Sequence, residues 1–313
     1  MFAYILRRLL ATIPVMGVVA AFVFFLLRFA PGDPAAIIAG DDATVAQIAA
    51  IRAKLGLDRP VLEQFGIWVL GMLQGDFGTS IFSNLPVTRL IAQRVEPTLA
   101  LALSTLAVAV ALAIPLGVLA AAKARRLTDR AVMLFAVMGF AMPVFLIGYV
   151  LIYIFAVRLN WLPVQGYRPL AEGAGPWARH LVLPSLALGI TYMALIARIT
   201  RASMLEVLSQ DYIRTANSKG LATSRVLLLH ALKNAAVPIV TVIGIGVALL
   251  ISGVVITETV FNIPGLGRLT VDAVLKRDYP IVQGLIIVFA GVKVLVNLLI
   301  DISYAFLDPR IRY

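Results

Sequence analysis

The chain offers very little of the usual chemistry. His180 and His230 are its only imidazoles, 50 residues apart, and it has no cysteine. Thiolate metal sites, disulfides and cysteine nucleophiles are therefore excluded. No Gly-x-x-x-x-Gly-Lys-Ser/Thr phosphate loop occurs, so if ATP drives this protein another chain hydrolyses it. The polar residues that invite a role sit in apolar surroundings. Lys293, Asn297 and Asp301 recur every four residues and so share one side of a helix. A lysine in mid-membrane costs roughly 2.5–3.5 kcal/mol on insertion scales, and such residues turn to a bundle interior or to water. The functional reading is a polar strip along a translocation path or a seam between subunits. The structural alternative is a buried pair, or Asp301 reaching a membrane surface. Glu258, between Thr257 and Thr259, reads as a carboxylate at the outer membrane surface that contributes to a gate. Gly265-Leu266-Gly267 follows no strand and reads as a turn, not a nucleotide site. His180, beside Trp177 and Arg179, reads as an interfacial anchor, and His230 as a packed side chain.

The elements that must position these residues are set by hydropathy. Of 313 residues, 61% are hydrophobic and only 14% charged, with a mean hydropathy of +0.97. A soluble domain is about a quarter charged, so this chain has too little polar surface for a water-soluble globule. A membrane span takes roughly 20 apolar residues. Six runs qualify, at about 9–29, 99–122, 131–157, 181–197, 237–257 and 281–306. Pro115, Pro143 and Pro184 fall inside spans and predict kinks, which a packed bundle tolerates. The first run follows Arg7 and Arg8. It is longer than a signal-peptide core of about 7–15 residues and lacks a small-x-small cleavage site after it, so it reads as a retained anchor.

Lys and Arg counts orient the spans. The N-terminus, 123–130, 198–233 and the C-terminal tail hold 14 basic residues, whereas 30–97, 158–180 and 258–280 hold 11 basic residues offset by 11 acids. The first set is cytoplasmic by the positive-inside rule, and both termini are inside. This accounts for the net charge of +11 without nucleic acid.

Two connections are too long to be mere links. In 30–97, Thr44 caps an amphipathic helix that carries Ile48, Ile51 and Leu55 and ends at Gly56. A second helix runs from Pro60 to Leu73, and Gln74-Gly75-Asp76-Phe77-Gly78 forms its turn. This segment caps the helix ends, or shares in docking a soluble partner or gating the outer mouth. The 198–233 segment reads as helix, glycine, helix. Ser203 to Lys219 has no Pro or Gly, Gly220 interrupts, and Ser224 to Asn234 resumes. Asp211, Tyr212, Arg214 and Lys219 give it mixed charge and one aromatic, which suits a docking knob better than a lipid anchor.

Here the residues resemble a family. Asp211-Tyr212-Ile213-Arg214-Thr215-Ala216-Asn217-Ser218-Lys219-Gly220-Leu221, with His230-Ala231-Leu232-Lys233-Asn234-Ala235 and Pro238 behind it, resembles the cytoplasmic coupling loop of ABC-importer permeases. The dipeptide, oligopeptide and nickel branch is the most similar. Arg7-Arg8-Leu9 with Pro31-Gly32-Asp33-Pro34, Gln74 to Ser80, and Phe261 to Leu269 resemble its N-terminus, its outer loop and its segment after the fifth span. The wider importer pattern is Glu-Ala-Ala, three residues, then Gly. This chain has Arg214-Thr215-Ala216, three residues, then Gly220, which favours the peptide/nickel branch.

The resemblance implies a bacterial inner-membrane permease subunit. Its partners would be a second homologous permease, two ATPase subunits and an extracytoplasmic substrate-binding protein. ATP and Mg would bind the ATPases, with no cofactor in this chain. Asp211, Tyr212, Arg214, Thr215, Ala216, Lys219 and Gly220 would form the ATPase-coupling joint. The leading substrate is a di- or oligopeptide, glutathione-like ones included; a nickel or other small-solute importer is the alternative. An ion-coupled secondary transporter is the contrasting class. It would use the sixth-span charges, but no internal repeat supports it. An intramembrane enzyme would need a convergent catalytic set within the spans, and none is visible. The expected architecture is an all-α membrane protein with six spans: an anchor at 1–30, an extracytoplasmic helical segment at 31–97, and a permease core at 98–313 with its coupling loop at 198–233.

Overall fold

The computed structural model describes residues 2–29, 34–39, 43–54 and 56–307. Among these, all regular structure is helical apart from one isolated antiparallel bridge, Thr79 with Pro86. In chain order the helices are α1 (Phe2–Phe29), α2 (Pro34–Ala39), α3 (Val45–Lys54), α4 (Val61–Leu73), α5 (Val87–Ala122), α6 (Leu127–Ala141) and α7 (Val144–Leu151). They continue with α8 (Ala174–Leu208), α9 (Asp211–Ser218), α10 (Thr223–Arg225), α11 (Leu232–Asn234), α12 (Ala236–Val260), α13 (Leu266–Lys276) and α14 (Tyr279–Leu307). A π-helical turn extends α7 over Ile152–Arg158, and another joins α10 to α11 over Val226–Ala231.

Five described helices are long and apolar enough to cross a membrane: Arg7–Phe25 within α1, α5, α8, α12, and Tyr279–Ile300 within α14. The run expected as the third span, 131–157, is sharply bent. Leu127–Ala141 and Val144–Arg158 meet at an angle of 106° across Met142 and Pro143. Pro143 sits at the N-cap of α7, where its missing N–H costs nothing, so the chain turns there. Pro115 and Pro184 lie inside unbroken helices. The helices also outrun the apolar stretches that predict them. α5 begins at Val87 instead of near Leu99, and α8 reaches from Ala174 to Leu208.

The chain divides into two compact units. The first comprises Glu96–Arg268 with the chain from Leu295, and α8 is its central helix, packed against α6, α7 and α12. Small residues make those contacts close. A Cβ built on Gly139 of α6 would lie 2.7 Å from Ile190, and one on Gly253 of α12 would lie 2.6 Å from Leu188. The Ser104 and Ser185 hydroxyls share a hydrogen bond of 2.7 Å between α5 and α8.

The second unit comprises Phe2–Val95 and Leu269–Val294. Phe24 of α1 meets Phe65 and Trp68 of α4 at centroid distances of 5.2 and 5.5 Å. The helix expected to start at Thr44 does so with a capping box. The Gln47 N–H donates to Thr44 Oγ1 at 3.3 Å, and the Thr44 N–H donates to Gln47 Oε1 at 2.8 Å. Leu55, its expected last apolar position, lies outside the described residues. The 74–78 turn forms as expected, with the Gly78 N–H donating to Asp76 Oδ1 at 2.8 Å. Just beyond it, the buried Ser80 hydroxyl donates to buried Asp278 at 2.6 Å.

Candidate functional site

The candidate coupling helix α9 has two unlike faces. Ile213 is 2% exposed and Ala216 is buried; three residues apart, they share one side of the helix. They join an apolar cluster with Val118 and Ala121 of α5, Met204 of α8, Val226, Ala231, Ala235 and Ile239. Asp211, Tyr212, Arg214, Thr215, Lys219 and Gly220 are all exposed. Arg214 and Asp211 form an ion pair of 3.3 Å in open solvent. Six of the seven expected coupling residues therefore present a polar surface, and Ala216 anchors it from beneath.

Local sequence explains both ends of α9. Gly220 has φ +76°, the left-handed geometry that lets a glycine end a helix. Across it the Leu221 N–H donates to the Ala216 carbonyl at 3.4 Å and the Gly220 N–H to the Asn217 carbonyl at 2.9 Å. The chain interrupts helix at Ser209–Gln210 before α9 begins, a break that the run from Ser203 to Lys219 did not announce. The helical extension of α8 carries the segment, and α9 turns off it.

Glu258 occupies a different setting from the one its sequence neighbours suggest. It lies in α12 and is fully buried, at 0% exposure. Its Oε1 accepts the Thr98 hydroxyl at 2.6 Å and its Oε2 accepts the Arg268 N–H at 3.0 Å. The Thr98 oxygen in turn accepts the Leu266 N–H at 2.8 Å. A carboxylate and a hydroxyl thus serve the first N–H groups of α13, where a negative charge is favoured. Gly265-Leu266-Gly267, expected as a turn, instead opens α13: Gly265 is a bend and Leu266 and Gly267 are the first helical residues, and both glycines sit in tight places. A Cβ on Gly265 would overlap the Glu258 carboxylate, and one on Gly267 would lie 2.6 Å from Val255 Cα.

In α14, Lys293 and Asn297 are exposed, and their side chains make no hydrogen bond or ion pair with the described residues. The Asp301 side chain lies outside the described residues. His180 Nδ1 sits 2.8 Å from the Pro176 carbonyl oxygen, and Arg179 donates to the Trp161 carbonyl at 2.9 Å.

Residues 113–313 match the family described as binding-protein-dependent transport system inner membrane component, and residues 1–102 match the N-terminal region described for the same membrane components. The chain belongs to this family. The permease is 54% identical over 310 residues to the probable peptide ABC transporter permease protein y4tP of Sinorhizobium fredii, covering 99% of each chain. It is 44% identical to the glutathione transport system permease protein GsiC of Escherichia coli (strain K12), covering 100% of both. Its fold matches that of a solved inward-facing methionine ABC transporter, MetNI, at a TM-score of 0.59 and 15% identity, over 70% of this chain and 96% of that one. The permease is therefore the inner-membrane subunit of an ABC importer and not itself an ATPase. Family membership implies ATPase and binding-protein partners.

One constellation in the permease escaped the sequence reading. Asp129, in the first turn of α6, is 3% exposed. It accepts Arg201 Nε on one oxygen and Arg201 Nη2 on the other, the latter at 2.7 Å. The Arg125 N–H adds a third bond at 2.8 Å. A separation of 72 residues leaves no local signal; only the acid in a helix's first turn hinted at a capping task. A second such contact joins Tyr167, whose hydroxyl donates to Glu96 at 2.6 Å. Desolvation, and then the Glu96 hydrogen bond, push the Tyr167 hydroxyl well above its ordinary pKa.

Proposed function

We propose that this chain is one permease half of an ATP-driven importer for di- or oligopeptides, glutathione-like peptides included. The observation that carries the reading is the two-faced helix α9. Its apolar side is fixed to α5 and α8 through Ile213 and Ala216, and its polar side is free to receive a partner. A rigid docking helix of that kind moves with whatever it docks on. The peptide assignment draws support from the full-length similarity to permeases described as peptide and glutathione transporters.

In this reading Asp211, Tyr212, Arg214, Thr215, Ala216, Lys219 and Gly220 form the joint with a cytoplasmic ATPase. Two ATPases hold ATP and Mg, a second permease completes the path, and a binding protein delivers cargo from outside. Both termini and the 198–233 segment are cytoplasmic, in keeping with the excess of Lys and Arg on that set of connections. The strip of Lys293, Asn297 and Asp301 faces the second permease or the water-filled path between the two, since lipid would not tolerate Lys293 at mid-span.

The test is the native mass and subunit content of the complex purified through a tag on this chain. One copy with a second permease and ATPase subunits, taking up peptide in liposomes only with ATP, is the expected result. A chain recovered alone, active without ATP, overturns the proposal.

A further inference from the structure

The Asp129–Arg201 contact lies outside the exposed face of α9, yet it is placed beside the helix that carries that face. Arg201 stands one turn before Met204 on α8. Met204 is 0% exposed and packs in the same cluster as Ile213 and Ala216. On the other side, Gly117 of α5 approaches α8 so closely that a Cβ there would lie 2.6 Å from Thr200 Cβ. Asp129 takes both nitrogens of the Arg201 fork at the start of α6 and also holds the Arg125 N–H. Arg125 has φ +64°, so one carboxylate fixes the tight turn after α5 as well as the α8 contact. Beyond it, α6 is a short rod of 15 residues that ends in the 106° bend.

With Asp129 buried and the Arg201 side chain 28% exposed, the ion pair adds little net stability over an apolar pair of similar size. What it adds is geometry, because a two-point fork fixes orientation as well as distance. An apolar contact at the same place would let α6 slide or roll against α8.

We infer that the Asp129–Arg201 fork is the positioning joint through which movement of α9, carried by the end of α8, turns the bent α6–α7 span. This rests on the reading of α9 as the ATPase-docking helix. The pair acts here by positioning α6 against α8, so the effect falls on the link between hydrolysis and transport.

The test uses the assembled transporter with its binding protein in liposomes, with ATP hydrolysis and uptake of radiolabelled glutathione or trialanine measured on the same vesicles. Arg201→Lys keeps the charge but loses the fork; Asp129→Asn keeps the shape but loses the charge. Both are expected to hydrolyse ATP at more than about half the wild-type rate per assembled complex, while peptide carried per ATP falls about tenfold. Unchanged uptake per ATP in an assembled Arg201→Lys complex overturns the proposal. So does a fall of both rates in proportion to the complex recovered, or failure of both variants to assemble, since each makes the pair a folding contact only. A failure of the importer reading shows earlier, as wild-type uptake that needs no ATP.

Discussion

The Thr98 hydroxyl and the Glu258 carboxylate meet at 2.6 Å across 160 residues of chain. Together they satisfy the N–H groups of Leu266 and Arg268. Glu258→Ala strips two donors of their acceptor in a fully buried place. Each buried group left unpaired costs about 1–3 kcal/mol. The expected outcome is a clear fall in the melting temperature of the detergent-purified permease. Glu258→Gln, which keeps one acceptor and the shape, should lose less. Equal melting temperatures for wild type and Glu258→Ala would remove the carboxylate from its structural task.

The two faces of α9 separate folding from docking. Ile213→Ala removes a buried side chain, and changes of this kind cost about 2–5 kcal/mol. It should lower stability and ATPase capture together. Tyr212→Ala alters only the exposed face. It should leave melting unchanged while weakening ATPase binding by about 2 kcal/mol, the scale of an aromatic anchor. Titrating each purified variant with the ATPase subunit reads both effects, and a Tyr212→Ala protein that binds like wild type would place the docking surface elsewhere.

Gly220 must hold a positive φ. A side chain there costs roughly 1–2 kcal/mol in left-handed backbone, although nothing crowds the site. Gly220→Val should loosen the end of α9 and raise its amide hydrogen exchange. Gly220→Asn should do so much less, because asparagine tolerates this conformation. Comparable exchange in the two variants would show that backbone geometry is not what the glycine supplies.

Tyr167 gives a pH signature. Its folded-state pKa lies above the unfolded value of about 10, so the folded permease retains a proton that the unfolded chain releases. Stability from this group is complete below pH 10 and falls as pH rises beyond it. Tyr167→Phe should therefore lose stability less steeply than wild type from pH 10 upward, while losing about 0.5–1.5 kcal/mol at neutral pH with the Glu96 hydrogen bond. Parallel alkaline melting curves would refute the assignment.

Much of this architecture is legible in the sequence because the membrane writes it plainly. Long apolar runs locate α1, α5, α8, α12 and α14; Thr44 marks a helix start by its capping side chain, and Gly56 and Gly220 mark helix ends by a positive φ that few residues supply. Pro143 marks a break, but not an angle of 106°, since the angle depends on what the two halves pack against. Burial of Glu258 was hidden for the same reason. Its neighbours Thr257 and Thr259 resemble a membrane surface, and only Gly265 and Gly267 make room for the carboxylate. The Asp129–Arg201 fork joins residues with no shared periodicity, so it becomes visible only once α6 and α8 lie side by side.

The pinch of Gly265 and Gly267 around Glu258 also bears on how such proteins diverge. With no space for a methyl group on either side of the carboxylate, single substitutions there have almost nowhere to go. A side chain at either glycine calls for the acid, and the Thr98 hydroxyl bonded to it, to be accommodated anew. For anyone building chimaeras between permeases, the stretch from Glu258 to Arg268 is then a cassette to be moved whole, along with the residue at position 98.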